Sequence, residues 1–396
     1  MVLVPAQLTS PNFVHRPSPS LRRTPLVRLS RLRARASLCS FLGPAHLLLS
    51  AAKIVGTVLG TRSREENHRL SAGIALSLLL LIFFSISSPI EAKVRVAYSS
   101  IAGTYMGLFV AQDAGYYAQQ DLDVEIVYIA SGTTMTQALI GGDVQMGYGG
   151  AVGAIRAKLL GADLVIVGVS VDRMSYSVFS KKEIRTPADL KGRKLGVTRF
   201  GGSPDVWARI FLPRLGIIPE KDVALLQLGG MPQIVAGLAG GGIDAGILSP
   251  PMLFAAADLG FNEIIRFQNS SIPYIQNSFI TTGAYAAKRE DEVERLLRAY
   301  VVGVHRAKTD PVFTKRILGK HLKVQDTKLL DRTYDLAIGE IQRGLSFSEE
   351  AANGTIADIA KTNPKIRNLP RESFLNPVFV KRLEASGLVE KLYGKN

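Results

Sequence analysis

The sequence predicts an α/β fold of two lobes, because it contains one supersecondary unit twice. Residues 129–167 and 228–267 each contain a helix that opens at glycine, a glycine pair or triplet before an aspartate, a short apolar strand, a second helix that ends at glycine, and another strand. The two aspartates, Asp143 and Asp244, lie about 100 residues apart. This period is too long for a solenoid, whose repeats span about 20 to 50 residues, and it fits two related lobes.

Two lobes of this kind predict a cleft between them. In an open α/β sheet the loops from strand to helix lie at the carboxyl ends of the strands, and ligands bind there. Two facing lobes therefore hold a ligand from both sides and are expected to hinge around it. Such an arrangement is typical of a binding protein.

Composition and charge agree with this interpretation. With 396 residues, of which 47% are apolar and 20% charged, the chain supports about two domains and a large core. The net charge of +15 is uneven, since residues 1–92 contain 11 Lys and Arg but only 3 Asp and Glu. The basic residues of the remainder do not cluster as they do in nucleic-acid-binding proteins. We therefore expect no nucleic acid partner, and a small anionic ligand is compatible with the charge.

The residue types of catalytic and metal sites are scarce after the leader. Cys39 is the only cysteine, so residues 93–396 offer no disulfide, cysteine nucleophile or thiolate ligand. His305 and His321 are the only histidines there, and their spacing matches no common metal site. Nucleophile elbow, Walker loop and zinc motifs are also missing from the sequence. We predict a protein that is not an enzyme and uses no cofactor or metal.

Residues 65–92 have the pattern of a secretory signal peptide. The uncharged run AGIALSLLLLIFFSISS at residues 72–88 follows Arg62, Arg64 and Arg69 and precedes small residues and proline up to residue 92. Cleavage there would give a periplasmic or otherwise extracytoplasmic protein. An uncleaved membrane anchor is the alternative, although about 17 residues is the short limit for a span.

Residues 1–64 contain no acidic residue and are rich in Arg, Pro and Ser. A transit peptide has this composition but needs no second apolar signal behind it. We therefore expect translation to begin at a non-methionine codon near residues 55–59, and residues 1–64 to be largely spurious or disordered.

The first lobe is predicted to begin with a strand over residues 93–98. Three successive strands lead through small-residue loops into helices, and Ser131 can cap the second of these helices with its hydroxyl. These loops contain the candidate ligand-binding residues of this lobe: Ser99, Ser100, Ala102, Ser131, Gly132, Thr133, Gly149 and Gly150.

The second lobe is predicted to begin near residue 183, before a short helix with threonine at its N-cap and proline at its first position. A strand at residues 194–197 then leads into a glycine-rich loop and the helix that contains Trp207. The glycines allow close backbone approach and the free N–H groups favour an anion, although Ser203 is equally an ordinary N-cap. Arg199 adds a charged donor. The candidates of this lobe are Arg199, Gly201, Gly202, Ser203, Ser249 and Pro250.

The chain is expected to cross between the lobes twice. Residues 93–182 and 276–396 form lobe one, and residues 183–275 form lobe two. Residues 277–287 are strand-like and rejoin the first sheet. A helix with apolar Val293, Leu296 and Tyr300 on one face follows, and the helical tail packs on lobe one.

Three segments resemble the periplasmic substrate-binding proteins of ABC importers for nitrate, sulfonates, taurine and related solutes, a group that includes thiamine pyrimidine-precursor proteins. They read AYSSIAGTYMGLFVAQDAGYYAQQDLDVEIVYIASG, TPADLKGRKLGV and LGGMPQIVAGLAGGGIDAGILSPP. The resemblance covers residues 93 to about 334. It implies a type 2 periplasmic-binding-protein fold, a monomer, an ABC permease of the inner membrane as partner, and binding loops at residues 99–102, 131–134, 149–151, 199–203 and 249–250. Asp121 departs from the family, which commonly has glycine there, but aspartate tolerates that turn.

The ligand and two other functions stay open at this point. Backbone amides, hydroxyls and one arginine suit a sulfonate, nitrate, a carboxylate or a neutral pyrimidine. The chain is also compatible with a pyrimidine-precursor-binding protein or synthase of thiamine biosynthesis, although the cysteine-rich segment of the synthase is missing after the leader. A membrane-tethered ligand sensor is the third class.

Overall fold

Two five-stranded sheets organise the part of the chain that a computed structural model describes, residues 93–266 and 272–394. The predicted leader and signal peptide lie outside these residues. The strands are β1 (Val94–Tyr98), β2 (Val124–Tyr128), β3 (Met146–Gly149), β4 (Leu164–Arg173), β5 (Ser177–Ser180), β6 (Arg193–Val197), β7 (Val223–Gln227), β8 (Ala245–Leu248), β9 (Asn262–Arg266) and β10 (Pro273–Thr282). Their order is β2-β1-β3-β10-β4 in the first sheet and β7-β6-β8-β5-β9 in the second.

Helices flank both sheets and form the C-terminal region. In the described residues they are α1 (Met106–Asp113), α2 (Gly132–Gly141), α3 (Val152–Leu159), α4 (Ser203–Phe211), α5 (Met231–Ala239), α6 (Met252–Asp258), α7 (Gly283–Lys288), α8 (Glu290–Thr309), α9 (Pro311–Leu322), α10 (Thr327–Glu340), α11 (Glu349–Thr362), α12 (Val378–Ala385) and α13 (Leu388–Tyr393). None of the described helices has both the length and the hydrophobicity that a membrane span requires.

The predicted internal repeat is present in the element order. The first unit runs α2-β3-α3-β4, and the second runs α5-β8-α6-β9. The sheets correspond strand by strand, and in each the fourth strand is antiparallel to its neighbours. That strand, β10 or β5, is the one that has just crossed from the other lobe. The predicted two-lobed α/β fold with a helical tail is therefore confirmed.

The first crossing comes earlier in the chain than the sequence suggested. Strand β5 pairs with β8 and β9, so the second sheet already includes residues 177–180. The chain therefore crosses at residues 174–176, before residue 183, where the second lobe was predicted to begin. The second crossing connects β9 to β10, and Pro273 at the start of β10 pairs with Arg173 at the end of β4. The start of β10 thus lies beside the end of β4, from which the first crossing leaves.

The predicted amphipathic helix is α8, and it packs on α1. Its Val293, Leu296 and Tyr300 are almost fully buried. A Cβ atom added at Gly303 would lie 2.6 Å from the Gly107 carbonyl oxygen, so a glycine here lets the two helix backbones approach closely. This contact ties the helical tail to the first sheet.

Asp121, which stands where the resembling family commonly has glycine, adopts a left-handed backbone conformation. It ends a short 3-10 helix at residues 118–120 with φ 53° and ψ 39°. Aspartate is among the few residue types that enter this region readily. The turn before β2 is therefore made without glycine.

Candidate ligand-binding site

A small cavity lies where the two lobes and both crossings meet. Its volume is about 40 Å³, room for about three water-sized positions or a small ligand. The residues that line it are Ser99, Ser100, Ala102, Thr104, Tyr105, Ser131, Gly132, Gly150, Ser175, Tyr176, Thr198, Ser203, Pro204, Met231, Ser249, Pro250, Gln276 and Asn277.

In the first lobe the loop after β1 is held against the neighbouring strand. The Ser99 hydroxyl lies 3.1 Å from the Tyr105 hydroxyl, and the Ser99 carbonyl accepts a hydrogen bond from the Ser131 amide at 3.1 Å. A Cβ atom at Gly149 would lie 2.1 Å from Ser99 Oγ. Glycine at position 149 therefore makes room for a serine that faces the cavity.

Ser131 has a conformation that is unusual for a residue with a side chain. Its φ is 80° and its ψ 135°, and its hydroxyl accepts a hydrogen bond from the Thr133 amide at the start of α2. Side-chain-bearing residues in such regions cost about 1–3 kcal/mol and occur preferentially at ligand sites. Ser131 is 3% exposed and lines the cavity.

In the second lobe a buried carboxylate organises the loop before α4. Asp205 is 1% exposed, accepts a hydrogen bond from the Gly201 amide at 2.8 Å and pairs with Arg209 at 2.8 Å. This arrangement fixes the turn in which Gly201 has φ 79°. The turn places Ser203, at the start of α4, in the cavity wall.

Ser249 is positioned by a sulfur contact within the same lobe. Its hydroxyl donates to Met231 Sδ at 3.0 Å, and the Ser100 hydroxyl of the first lobe lies 3.8 Å from the same sulfur. Met231 therefore connects polar groups of both lobes at one side of the cavity.

The lobes are in direct contact around the cavity. The Gly103 amide donates to the Pro250 carbonyl at 3.2 Å, and Thr133 Oγ1 donates to the Phe200 carbonyl at 3.2 Å. A Cβ atom at Gly150 would lie 2.1 Å from Ser203 Oγ in the opposite lobe. The structure therefore has the lobes closed on each other.

Two ion pairs bridge the lobes away from the cavity. Arg332 of α10 pairs with Asp258 of α6 at 2.8 and 3.1 Å, and its guanidinium lies over a phenyl ring of α6. Arg214, in the 3-10 turn after α4, pairs with Asp358 of α11 at 3.0 Å. The helical tail, expected to pack on lobe one alone, thus also contacts lobe two.

Most of the predicted site residues line the cavity. These are Ser99, Ser100, Ala102, Ser131, Gly132, Gly150, Ser203, Ser249 and Pro250. Four others support the lining. Gly149 lies behind Ser99, the Thr133 amide donates to the capping hydroxyl of Ser131, and a Cβ atom at Gly201 or Gly202 would lie 3.8 or 3.5 Å from Thr133 Oγ1. Arg199 is exposed and does not line the cavity.

Sequence reasoning missed lining residues on the two crossings. Ser175 and Tyr176 lie on the first crossing, and Gln276 and Asn277 lie in β10. The pairing of β10 with β4 is irregular between Pro273 and Asn277, and such bulges redirect side chains near sites. The consecutive amide residues Gln276 and Asn277, next to the apolar Tyr274 and Ile275 in β10, were the available signal. The other missed residues are Thr104, Tyr105, Thr198, Pro204 and Met231.

The cavity is polar but uncharged, because none of the described residues that line it has an ionisable acid or base other than tyrosine. Burial raises the pKa of Tyr105 and of Tyr176, so both phenols stay neutral. Helices α2 to α5, each of 8 to 10 residues, begin beside the cavity. Their free N–H groups and dipoles place positive potential there. The described residues contain no group of three or more His, Cys, Asp or Glu that could hold a metal ion.

Two α/β lobes that close over a polar cavity, with two crossings between them, define a protein of the periplasmic-binding-protein class. The chain belongs to the NMT1/THI5 like family, whose model matches residues 103–313.

Relatives agree with this assignment. A Brucella abortus protein named as a candidate binding protein is 26% identical over 263 residues, which cover 65% of this chain and 80% of the relative. A structure from Bordetella bronchiseptica is 19% identical with a TM-score of 0.69, over 77% of this chain and 99% of that one. The periplasmic aliphatic sulphonate binding protein SsuA of Escherichia coli is 19% identical with a TM-score of 0.59, over 72% and 92% of the two chains. These likenesses confirm the fold.

Proposed function

We propose that the protein is the extracytoplasmic solute-binding protein of an ABC importer, and that it captures a small anion between its lobes and delivers it to a membrane permease. The observation that carries the proposal is the meeting of several helix N-termini at one closed, polar cavity. Family membership and relatives named as binding proteins support it. We propose binding without catalysis, because hydroxyls and amides suited to hold a ligand form the lining.

Anion recognition in this proposal relies on uncharged donors. Backbone N–H groups at a helix start bind anions because they are unpaired within the helix and aligned with its dipole. Serine hydroxyls from both lobes, including Ser99, Ser131 and Ser203, lie in the same wall and can add further donors. A buried anion is thereby held without an ion pair.

Calorimetry and thermal unfolding of the purified protein with nitrate, sulfate, methanesulfonate and sulfamate test the proposal. A ligand present at 100 times its dissociation constant adds about 2.7 kcal/mol to the free energy of unfolding. We expect at least one anion to raise the melting temperature and to give a saturable heat of binding. Failure of every small anion to do either would contradict the anionic ligand.

Arg199→Ala is expected to leave the affinity for such an anion nearly unchanged. The side chain is exposed and lies outside the cavity lining, and exposed charges contribute about 0–1 kcal/mol to an interaction. Ser203→Ala is the matched comparison, because it removes a hydroxyl from the cavity wall. A loss of affinity in Arg199→Ala that exceeds the loss in Ser203→Ala would place the guanidinium on the ligand.

Ligand binding is expected to reduce the radius of gyration in small-angle scattering. The lobes are linked by the two crossings and contact each other at Gly150 and Ser203, so the ligand-free protein can open by a hinge motion. Trp207 in α4 is 1% exposed and stacks on Phe211, and its fluorescence offers a second readout. An identical scattering curve with and without a saturating ligand would argue against a hinge.

A further inference from the structure

One buried acceptor in the cavity wall has no hydrogen-bond partner among the residues that the structure describes. Gln276 is 6% exposed and lines the cavity. Its Oε1 atom is buried and makes no hydrogen bond to any described residue. The residue lies in the irregular part of β10, where the register shifts between Pro273 and Asn277. A buried acceptor without a partner is uncommon in folded proteins and calls for a specific explanation.

The same side chain is close to a tyrosine of the first crossing. The Gln276 and Ser203 side chains lie close enough to the Tyr176 hydroxyl to lower its pKa, against the larger effect of burial, which raises it. An amide has its donors on nitrogen and its acceptor on oxygen. Gln276 thus lies beside the first crossing and lines the cavity, while its Oε1 atom has no partner among the described residues.

The acceptor differs in kind from the hydroxyl groups and the helix N–H groups of the wall. Serine, threonine and tyrosine hydroxyls donate or accept, and the N–H groups at the helix starts only donate, but Gln276 Oε1 only accepts. An oxoanion without hydrogen, such as nitrate or sulfate, offers oxygen acceptors alone. It would leave Oε1 unpaired in the closed cavity, and an unpaired buried group weakens binding about 5- to 150-fold.

We propose that the ligand carries an N–H or O–H group that donates a hydrogen bond to Gln276 Oε1. Its acceptor end lies against the helix N-termini, and its donor end lies against the crossing strand. The inference rests on the proposed function, because it takes the cavity as the ligand site. It assigns the ligand to small compounds with an oxoanion or similar acceptor group at one end and an amine, amide or hydroxyl at the other.

Four tetrahedral sulfur compounds of nearly equal size test this inference by calorimetry on the wild-type protein. Sulfamate and methanesulfonate are both monoanions at neutral pH, but only sulfamate has N–H groups. Methanesulfonamide and dimethyl sulfone are both neutral, and only the amide has N–H groups. We expect the donor compound to bind more tightly within each charge class, by about 5- to 150-fold.

The same panel separates the inference from the proposed function. Equal affinities within both charge classes would overturn the donor requirement and leave anion binding intact. A donor preference accompanied by tighter binding of the neutral pair would support the donor requirement and contradict the anionic ligand. Binding of none of the four at millimolar concentration would overturn both.

A substitution at position 276 adds a second readout. Gln276→Met keeps the approximate shape and removes the acceptor, so the ratio of sulfamate to methanesulfonate affinity should fall to about one. Gln119→Met makes the same replacement at an exposed position outside the cavity lining and should leave that ratio unchanged. A retained sulfamate preference in folded Gln276→Met would place the acceptor elsewhere. Should this variant fail to fold, the wild-type panel decides the inference by itself.

Discussion

Gly150→Val is expected to abolish ligand binding while both lobes stay folded. A Cβ atom at this position would lie 2.1 Å from Ser203 Oγ and 3.3 Å from Ser203 Cβ, and 3.6 Å from the Gln276 carbonyl oxygen. Ser203 belongs to the opposite lobe, so the conflict arises only when the lobes meet. We expect the affinity, measured by calorimetry with the tightest-binding anion, to fall about 100-fold or more, which corresponds to about 2.8 kcal/mol.

Three comparison variants show whether the effect comes from lobe contact. Gly339→Ala is the control, because a Cβ atom there meets nothing within 4 Å. Gly150→Ala should lose less affinity than the valine variant, since Ser203 Oγ can rotate away. Adding Ser203→Gly to Gly150→Ala should restore part of the loss. Wild-type affinity in Gly150→Val would show that the closed arrangement is not the one that binds ligand.

Glu340→Gln is expected to raise the melting temperature at pH 8 and to change it little at pH 4.5. Both carboxyl oxygens of Glu340 are buried without a hydrogen-bond partner among the described residues. Burial raises the pKa of this carboxyl from its usual 4.5 to about 7, against a smaller opposing effect of the Ser175 hydroxyl. The folded protein therefore holds a proton that the unfolded chain releases between pH 4.5 and 7.

The sign and size of the effect follow from proton linkage. Because the folded state binds the proton more tightly, the free energy of unfolding falls as pH rises through this interval, and the full cost, about 3 kcal/mol, is present above pH 7. Glutamine removes that cost, which corresponds to roughly 5–10 °C in melting temperature. Calorimetric unfolding at both pH values measures it, with exposed Glu384→Gln as control. An equal shift at both pH values would show that ionisation of Glu340 is not the cause.

The duplicated architecture was predictable because local signals mark it. Glycines before Asp143 and Asp244 end a helix and precede a short apolar strand in both units, and the structure has these elements in the same order. The point where the chain changes sheets was not predictable to the residue. Residues 174–176, where the chain changes sheets, contain no glycine or proline, so only the pairing of β5 with β8 and β9 reveals the change.

The site was predictable where it follows strand-to-helix loops and not where it follows the crossings. Serines such as Ser131 and Ser203 precede helices, and that position alone brings them to the cavity. Gln276 reaches the cavity through an irregular strand pairing, which is a tertiary feature. Arg199 was predicted as a site residue but is exposed, whereas its neighbour Thr198 lines the cavity. Consecutive side chains at the end of a strand point to opposite sides, so only one of the two can face the cavity.

The ion pairs between the lobes imply that ionic strength changes the apparent affinity for a solute, even for a neutral one. Arg332 with Asp258 and Arg214 with Asp358 favour the closed lobes without lining the cavity, and partly exposed pairs of this kind contribute about 0–1 kcal/mol each. The apparent dissociation constant equals the intrinsic one divided by the fraction of molecules in the closed state, which is the state that binds the ligand. Salt screens the pairs and lowers the closed fraction. The surrounding salt therefore acts on the equilibrium between open and closed lobes before any ligand binds.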